Sequence, residues 1–484
     1  MKAYVVGSGP NGLAGAIELA RNGFDVTVLE ATAHIGGGLG SAELTEPGLV
    51  HDLGAAFLPM AVASPFFRSL DLEALGVRFR HAPIALAHPL DDGSAGLLHH
   101  DLGTTARGLG ADGGPWRALF ERFAESFPEL LDDAMQPMVH LPRHPLLMAR
   151  FGSVAAQSAA RVAGTFRTEQ GRALFTGVAA HAFGPLDKPF SSAVGVMLTA
   201  AAHAVGWPVV EGGAQVLADA LVRHLVDLGG TVETRREVRT ITELGDADVV
   251  LLDTTPAAAV AILGDAMPRR FRRAYGAYVH GPAAFKVDFA VEGDIPWTAD
   301  GVRDAGVVHV GGSAAEVSAA EARVASGASA RQPFALVGQQ YVADPGRSRN
   351  GVNPVWAYAH VPYGSTVDAT ERIVRQIERF APGFRERIVS THTTGAIGLA
   401  AANANYVGGD INTGATGFRQ LVARPIAGRR PYRTGVPNAY LCSAATPPGP
   451  GVHGMAGANA ANAAKAAKAA MTGPDITWDA LPSS

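Results

Sequence analysis

Gly7, Gly9 and Gly12 follow a short apolar segment near the start of the chain, in the spacing Gly-x-Gly-x-x-Gly. The first glycine permits a tight turn from strand to helix, the second lets the backbone approach a pyrophosphate, and the third lets the helix pack closely on the strand. The N–H groups of the first helical turn bind phosphate because they are unpaired and lie at the positive end of the helix dipole. This spacing therefore predicts a dinucleotide-binding loop.

The residues after this loop supply the elements that such a site needs. Residues 13–22 are predicted to form a helix and residues 25–30 the next strand. Glu30, at the end of that strand, lies where a carboxylate accepts the hydroxyl groups of an adenosine ribose, and it disfavours the 2′-phosphate of NADP. The alternative is a strand-helix-strand unit without a ligand, in a chain that contains 58 glycines.

Composition and charge narrow the class of protein. A chain of 484 residues exceeds one ordinary core and indicates two domains or one elaborated domain. The 47% hydrophobic and 17% charged residues are typical of a globular protein, and a net charge of −4 without Lys/Arg runs argues against nucleic acid. The single cysteine, Cys442, excludes an internal disulfide framework and a Cys-x-x-Cys redox pair.

The longest apolar run, the start of the first strand and the spacing of the histidines bear on cellular location and metal binding. The longest apolar run, residues 193–205, is too short to span a bilayer and is predicted as a buried helix, with a membrane-touching surface as the alternative. A strand predicted from residue 3 leaves no room for a secretory signal, so we expect a cytoplasmic protein, with contact to a membrane surface left open. His309, His360 and His99–His100 lack the spacing of a metal site, and no metal is predicted.

The rest of the chain changes character twice. Residues 66–205 contain helical stretches, and residues 281–425 contain alternating patches that fit a second, antiparallel sheet. Between them, Gly212-Gly213 precedes a predicted helix whose leucines recur along one side. Further strands are predicted over residues 231–234, 238–241, 248–252 and 439–443, and a last helix over residues 453–471.

A stiff turn, Pro447-Pro-Gly-Pro-Gly451, precedes the last predicted helix. The prolines rigidify the loop, Gly451 allows a ligand to approach, and the helix start at residues 452–455 would present backbone N–H groups. His453 lies in this stretch and could hydrogen-bond to a ligand or transfer a proton. A histidine that caps the helix or packs against it is the alternative.

These motifs together resemble flavin-dependent phytoene desaturases and carotenoid isomerases. The resemblance rests on the opening unit with Glu30, the pair Gly36-Gly37, the Gly212-Gly213 helix start and the turn at residues 446–457. Segments 308–312, 356–362 and 405–410 resemble a narrower phytoene-dehydrogenase-related branch.

The resemblance implies an α/β fold and bound FAD. The FAD-binding domain is expected to be of the Rossmann type found in glutathione reductase and amine oxidases, joined to a discontinuous mixed α+β substrate domain. The implied FAD domain comprises residues 1–65, 206–280 and 426–484. Residues 66–205 would form a helical substrate or lid region, and residues 281–425 the substrate-domain sheet.

Motifs and resemblance together predict the site residues. His453 is the candidate catalytic residue. The predicted cofactor-binding residues are Gly7, Ser8, Gly9, Pro10, Asn11, Gly12, Glu30, Ala31, Gly36, Gly37, Gly38, Gly54, Val238, Ser443, Gly451, Val452, His453 and Met455. Two positions depart from relatives: Gly38 stands where many carry arginine, and residues 442–445 lack the acidic residue that amine-oxidase-like relatives place there.

The implied activity is removal of a hydride and a proton from a largely apolar small molecule by an FAD-dependent oxidoreductase. A redox-neutral isomerase, an amine oxidase and a flavin-binding scaffold or escort protein are the alternatives. No second Gly-x-Gly-x-x-Gly follows a predicted strand, so a diffusible acceptor, oxygen or a quinone, is expected to reoxidise the flavin. The substrate and the oligomeric state stay open.

Overall fold

The computed structural model describes residues 1–472, and the end of the predicted 426–484 segment, residues 473–484, lies outside the described residues. The strands are β1 (Lys2–Val6), β2 (Asp25–Leu29), β3 (Ser41–Glu43), β4 (Val50–Asp52), β5 (Phe79–Arg80), β6 (Ile84–Pro89), β7 (Ala95–Leu98), β8 (Val209–Val210), β9 (Thr231–Glu233), β10 (Val249–Leu252), β11 (Ala283–Glu292), β12 (Ala305–Val310), β13 (Ala335–Gly338), β14 (Val352–Val361), β15 (Ile388–Thr394) and β16 (Ala439–Leu441).

The α-helices follow the same order. They are α1 (Pro10–Ala20), α2 (Pro59–Ala63), α3 (Pro65–Arg68), α4 (Leu102–Gly108), α5 (Gly113–Glu125), α6 (Phe127–Ala134), α7 (Pro145–Ala155), α8 (Ala159–Ala163), α9 (Glu169–Ala179), α10 (Ser192–Val205), α11 (Gln215–Asp227), α12 (Pro256–Leu263), α13 (Arg269–Gly276), α14 (Ala314–Ala325), α15 (Gln340–Ala343), α16 (Thr370–Glu378), α17 (Ala396–Ala402), α18 (Phe418–Val422) and α19 (Met455–Thr472).

The first sheet is parallel throughout, in the order β16-β10-β1-β2-β9. Alternate residues of its strands face opposite sides: Val5 packs with α1 and α19, whereas Val6 packs with α12 and α13. Helices therefore cover both faces, as the buried strands of a parallel sheet require. All five strands lie within the three ranges predicted for the FAD domain, and this α/β fold confirms the predicted fold class. The domain boundaries themselves stay a proposal.

Helices α1 and α19 pack at backbone distance. A Cβ on Gly457 would lie 1.7 Å from the backbone oxygen of Asn11, and a Cβ on Gly15 would lie 3.2 Å from the backbone oxygen of Gly457. Only glycine at these positions lets α19 lie directly on the helix that carries the phosphate-binding loop. The position of that loop therefore depends on a contact with the other end of the chain.

The second sheet has the order β15-β11-β14-β13-β12-β6-β7. Its pairs are antiparallel as predicted, except that β12 and β6 run parallel. Strands β6 and β7 come from the 66–205 segment, which was predicted to be helical, because its long-range pairing to β12 leaves no mark on the local sequence. One face of the sheet packs on α16 through Ile373 and Ile377.

Two local predictions have opposite outcomes. Residues 193–205 form a buried helix, α10, as predicted. The strand predicted over residues 238–241 is wrong: Ile241–Leu244 is a short 3-10 helix with a capping box between Thr240 and Glu243. Because β9 is the edge of its sheet, residues 238–241 have no neighbouring strand with which to pair.

Within residues 1–472 every helix is either too short or too polar to span a bilayer.

Candidate active site

Four strands of the parallel sheet end at one edge, where the chain continues into Gly7, Glu30, Asp253 and Ser443. Ligands of open α/β sheets bind outside the carboxyl ends of the strands. These four residues line a single cavity of about 910 Å³, which extends from the glycine loop to the second sheet. The cavity thus joins the predicted dinucleotide site to the substrate region.

The glycine loop fits a dinucleotide by its shape. Gly7 has a φ of 101°, which L side chains rarely adopt. A Cβ on Gly9 would lie 2.6 Å from Asp253 Oδ2, and a Cβ on Gly37 would lie 3.0 Å from the Cα of Gly9. No side chain caps the start of α1. The loop therefore lets a phosphate-bearing ligand approach the N-terminal end of α1 closely.

Glu30 has more partners than the sequence suggests. Its Oε2 accepts from Ser8 Oγ at 2.6 Å and from the Ser8 N–H at 3.0 Å. Its Oε1 accepts from the N–H and Oγ1 of Thr32, at 2.9 and 3.0 Å. Four lone-pair positions are all that a carboxylate has, so a ribose hydroxyl at Glu30 would replace one of these hydroxyl groups. Glu30 thus orders both loops that meet at the cavity.

Asp253 is the acidic residue that sequence reasoning missed. Its Oδ2 accepts from the Gly12 N–H at 2.9 Å, inside the first turn of α1. Burial and, to a smaller extent, the nearby Glu30 raise the pKa of Asp253, while the N–H groups of Gly12 and Gly9 lower it, and the resulting pKa is about 7. The sequence does contain a signal for this residue: Asp253 directly follows β10, a strand that adjoins β1, and so it lies at the ligand-binding edge of the sheet.

Most of the predicted cofactor-binding residues meet in this cavity. The wall includes Gly7, Ser8, Gly9, Pro10, Asn11, Glu30, Ala31, Gly37, Gly38, Gly54, Val238, Ser443, Gly451 and Val452. Gly12, Gly36, His453 and Met455 are not part of the wall. Gly12 instead packs against Gly7, and Gly36 against Ala218. Direct contact of any of these residues with a cofactor stays a prediction.

His453 has both ring nitrogens bound to the backbone. Nδ1 accepts from the Met455 N–H at 3.0 Å, and Nε2 donates to the Gly449 oxygen at 3.1 Å. Burial lowers the pKa of His453 to about 4, against the opposing effect of the Gly449 and Pro450 oxygens. These contacts favour the alternative of a neutral histidine that holds the turn before α19. The catalytic role stays a prediction, and no contact in the structure supports it.

Tyr406 occupies the space beside Gly38. A Cβ on Gly38 would lie 2.6 Å from Tyr406 Oη, and both residues line the cavity. The segment 403–406 brings Asn403 and Asn405 to the same wall, and Asn405 Nδ2 donates to the Asp253 backbone oxygen at 3.0 Å. Where many relatives carry arginine after the glycine pair, this chain therefore places a tyrosine from a distant segment.

We expect Gly38→Ala to destabilise the protein by about 1–3 kcal/mol, because the added methyl group overlaps the buried Tyr406 hydroxyl. The double variant with Tyr406→Phe removes that hydroxyl and should recover most of the loss. Urea unfolding of both variants and of Tyr406→Phe alone measures the coupling. Additive effects of the two substitutions would show that the two groups do not compete for the same space.

The far end of the cavity is built by one face of the second sheet. Neighbouring strands place Lys286 beside Tyr358, and Tyr358 beside Leu336. Trp356 lies across Gly338, where a Cβ would come within 2.1 Å of its ring. These residues, apart from Gly338, line the cavity and make its far wall mostly apolar and aromatic.

Lys286 is a buried cation in this wall. Its Nζ donates to both carboxylate oxygens of Asp288, and His51 Nδ1 lies 3.3 Å from Asp288 Oδ1. Burial would raise the pKa of Asp288, but Lys286 and His51 hold it below its usual value. No local pattern marks this group in advance, because Lys286 and His51 come from different segments of the chain.

A glycine loop at the edge of a parallel sheet, open to a long cavity, defines a dinucleotide-dependent enzyme. Residues 11–266 match the family model described as "Flavin containing amine oxidoreductase". The match covers more than half of the chain, and the chain belongs to this family. This match and the two curated relatives confirm the expected relationship to phytoene-desaturase-like FAD oxidoreductases.

Two curated relatives match parts of the chain. A limonene dehydrogenase subunit of Castellaniella defragrans is 31% identical over 169 residues, which are 35% of this chain and 28% of that protein. Hydroxyneurosporene desaturase of Cereibacter sphaeroides is 30% identical over 286 residues, which are 54% of this chain and 56% of that protein. The matches thus span little more than half of these relatives at most.

Solved structures share the fold across almost the whole chain. An oxidoreductase from Methanosarcina mazei has a TM-score of 0.62 at 16% identity, covering 96% of this chain and 100% of that one. Wild-type putrescine oxidase bound to putrescine has a TM-score of 0.60 at 17% identity, covering 97% and 99%. At these identities the likeness shows the fold alone.

Replacing Glu30 with alanine should weaken FAD binding about 10- to 100-fold, because a charged hydrogen-bond acceptor at the ribose position contributes roughly 1.5–3 kcal/mol. Ser8 and Thr32 would also lose their common partner. Flavin fluorescence titration of the apoprotein measures the dissociation constant. Glu233→Ala, which removes an exposed carboxylate from the adjoining strand β9, is the matched control. Equal affinities of both variants would contradict the placement of the ribose.

Proposed function

We propose that the protein dehydrogenates a largely apolar small molecule, removing a hydride and a proton to leave a double bond. The observation that carries the proposal is the continuity of the cavity: it begins at the glycine loop and ends at a wall of Trp207, Val307, Leu336 and Trp356. The two curated relatives are named for limonene and for hydroxyneurosporene, which supports an apolar substrate.

FAD supplies the hydride-accepting chemistry when it is bound. The chain's own residues then bind, orient and exclude water. Ser8 and Asn11 would hold the phosphate-bearing half beside α1, and the far wall would hold the substrate by apolar contact. With FAD bound, the Lys286 ammonium, fixed by Asp288, would supply positive charge to the cavity, which favours the negative charge of a reduced flavin.

A cationic amine fits this cavity less well than an apolar molecule. The acidic residues in its wall, Glu30, Glu237 and Asp253, lie with the nucleotide loops. At the sheet end the described wall contains the Lys286 cation, and Asp288 behind it is already paired with that lysine. An ammonium group there would face a like charge without a free carboxylate. This argues against an amine oxidase, although the family contains such enzymes.

Anaerobic mixing of the FAD-loaded protein with candidate substrates tests the proposal. Apolar alkenes or polyenes should bleach the oxidised flavin absorbance and yield a product with one more double bond, whereas putrescine should leave it unchanged. Bleaching of the flavin by amines, with hydrogen peroxide released once oxygen is admitted, would overturn the proposal. A product of unchanged oxidation state would indicate the isomerase instead, and bound FAD without any turnover would indicate a scaffold. Admitting oxygen or a quinone afterwards tests our further proposal of a diffusible electron acceptor.

A further inference from the structure

We propose that His181 binds a single hydroxyl group of an otherwise apolar substrate through Nδ1, with His309 holding the His181 ring in place through Nε2. The inference rests on the proposed function, since it places the substrate at the sheet end of the cavity. It adds the chemical class: an apolar molecule with one hydroxyl group, in preference to a hydrocarbon.

His181 is a polar group in an apolar part of the cavity wall. Its ring lies 5.9 Å from the Trp207 ring and 5.2 Å from the His309 ring, measured between centroids. Its Nε2 is 3.1 Å from Nε2 of His309. Its Nδ1 has no hydrogen-bond partner among residues 1–472. This atom is partly exposed, and His181 lines the cavity, so Nδ1 is accessible from the cavity.

Both histidines of this pair are neutral. Burial, together with the nearby His360, lowers the pKa of His181 to about 3. Burial also lowers the pKa of His309 well below its usual value, with His181, His88 and His360 adding to the effect. In a hydrogen bond between two neutral imidazoles, one Nε2 carries a proton and the other accepts it. The direction of that bond decides whether His181 Nδ1 accepts or donates.

A hydroxyl group suits both directions of that bond, because it can donate to a lone pair on His181 Nδ1 or accept from a proton there. No neighbouring group fixes the direction: Nδ1 of His309 has no hydrogen-bond partner among residues 1–472.

His181 Nδ1, with Nε2 engaged by His309, is therefore matched by a hydroxyl group in either of its neutral forms. Lys286, another polar head group at this end, is engaged by Asp288. A site that hydrogen-bonds a substrate hydroxyl disfavours the analogue without it, because its own polar group would stay unpaired.

The test compares two probes of similar shape, geraniol and the hydrocarbon 2,6-dimethyl-2,6-octadiene, by anaerobic equilibrium dialysis against the FAD-loaded protein. We expect geraniol to bind the wild type more tightly. His181→Phe should weaken geraniol binding about tenfold or more and change hydrocarbon binding less than about threefold. His224→Phe, on α11 and outside the cavity wall, is the matched control and should change neither affinity.

A second pair of variants tests the positioning role of His309. His309→Leu removes the hydrogen-bond partner of His181 Nε2 and should weaken geraniol binding, whereas His309→Asn, which retains a hydrogen-bonding group, should recover part of it. Flavin content and thermal unfolding identify variants that fail to fold. Equal losses of both probes on His181→Phe would overturn the inference and leave the proposed function standing. Failure of the wild type to bind either probe would overturn both.

Discussion

Gly457→Ala is expected to lower the free energy of unfolding by about 3 kcal/mol, at the upper end of the usual cost of overpacking. The added Cβ would lie 1.7 Å from the Asn11 oxygen and 2.8 Å from the Gly15 nitrogen, and both are backbone atoms of α1. No rotamer change relieves such an overlap, so α19 and α1 must separate. Because α1 carries the phosphate-binding loop, FAD retention should fall together with stability.

Urea unfolding, followed by circular dichroism and by flavin release, measures both effects. Gly152→Ala is the control, because Gly152 lies in α7 with no atom within 4 Å of an added Cβ. That substitution should stabilise the protein by about 0.5–1 kcal/mol, since alanine is the better helix former. A Gly457→Ala variant that unfolds at the wild-type urea concentration would show that the two helices do not pack at this distance.

Asp253→Asn is expected to make the protein more stable than the wild type above pH 7. In the folded wild type the pKa of Asp253 is about 7, against an ordinary value of 3.8. Between these values the unfolded chain loses a proton that the folded protein keeps, so wild-type stability falls as the pH rises, by about 4 kcal/mol in total. Asparagine has no such proton, and its side-chain oxygen still accepts from the Gly12 N–H.

The same substitution should change how FAD binding depends on pH. Above pH 7 the wild type places a second negative charge beside the site of the FAD phosphates, and its affinity should fall, whereas that of the variant should stay level. Urea unfolding and flavin titration at pH 5 and pH 8.5, at constant ionic strength, test both expectations. Asp219→Asn, on α11 outside the cavity, is the control. Parallel pH profiles for wild type and Asp253→Asn would contradict the raised pKa.

The sequence predicts the dinucleotide half of the site because its signals are local. The glycine spacing and Glu30 belong to one continuous strand-helix-strand unit, whose geometry follows from short-range rules. The same holds for the turn before α19, where Gly451 and Val452 line the cavity. His453 shows the limit of such reasoning, since its place beside the site was predictable and the backbone contacts of its ring were not.

The substrate half depends on contacts between distant segments. Tyr406 reaches Gly38, and His181 reaches His309, across more than a hundred residues in each case. No spacing rule connects such pairs, because they meet only when strands from both halves of the chain join one sheet. The pairing of β6 with β12 escaped prediction for the same reason.

The order in which the parallel sheet is assembled has a consequence for biosynthesis. Strands β1 and β2 leave the ribosome first, but β10 follows more than 200 residues later and β16 more than 400 residues later. At a synthesis rate of roughly 5–20 residues per second, about 20–90 seconds separate the synthesis of the glycine loop from that of β16, the last strand of its sheet. During that time the edge of β1 that β10 will cover is unpaired, and unpaired strand edges promote aggregation. FAD is therefore enclosed only after β16 has been synthesised, and the supply of chaperones in an expression host will influence the yield of flavin-loaded protein.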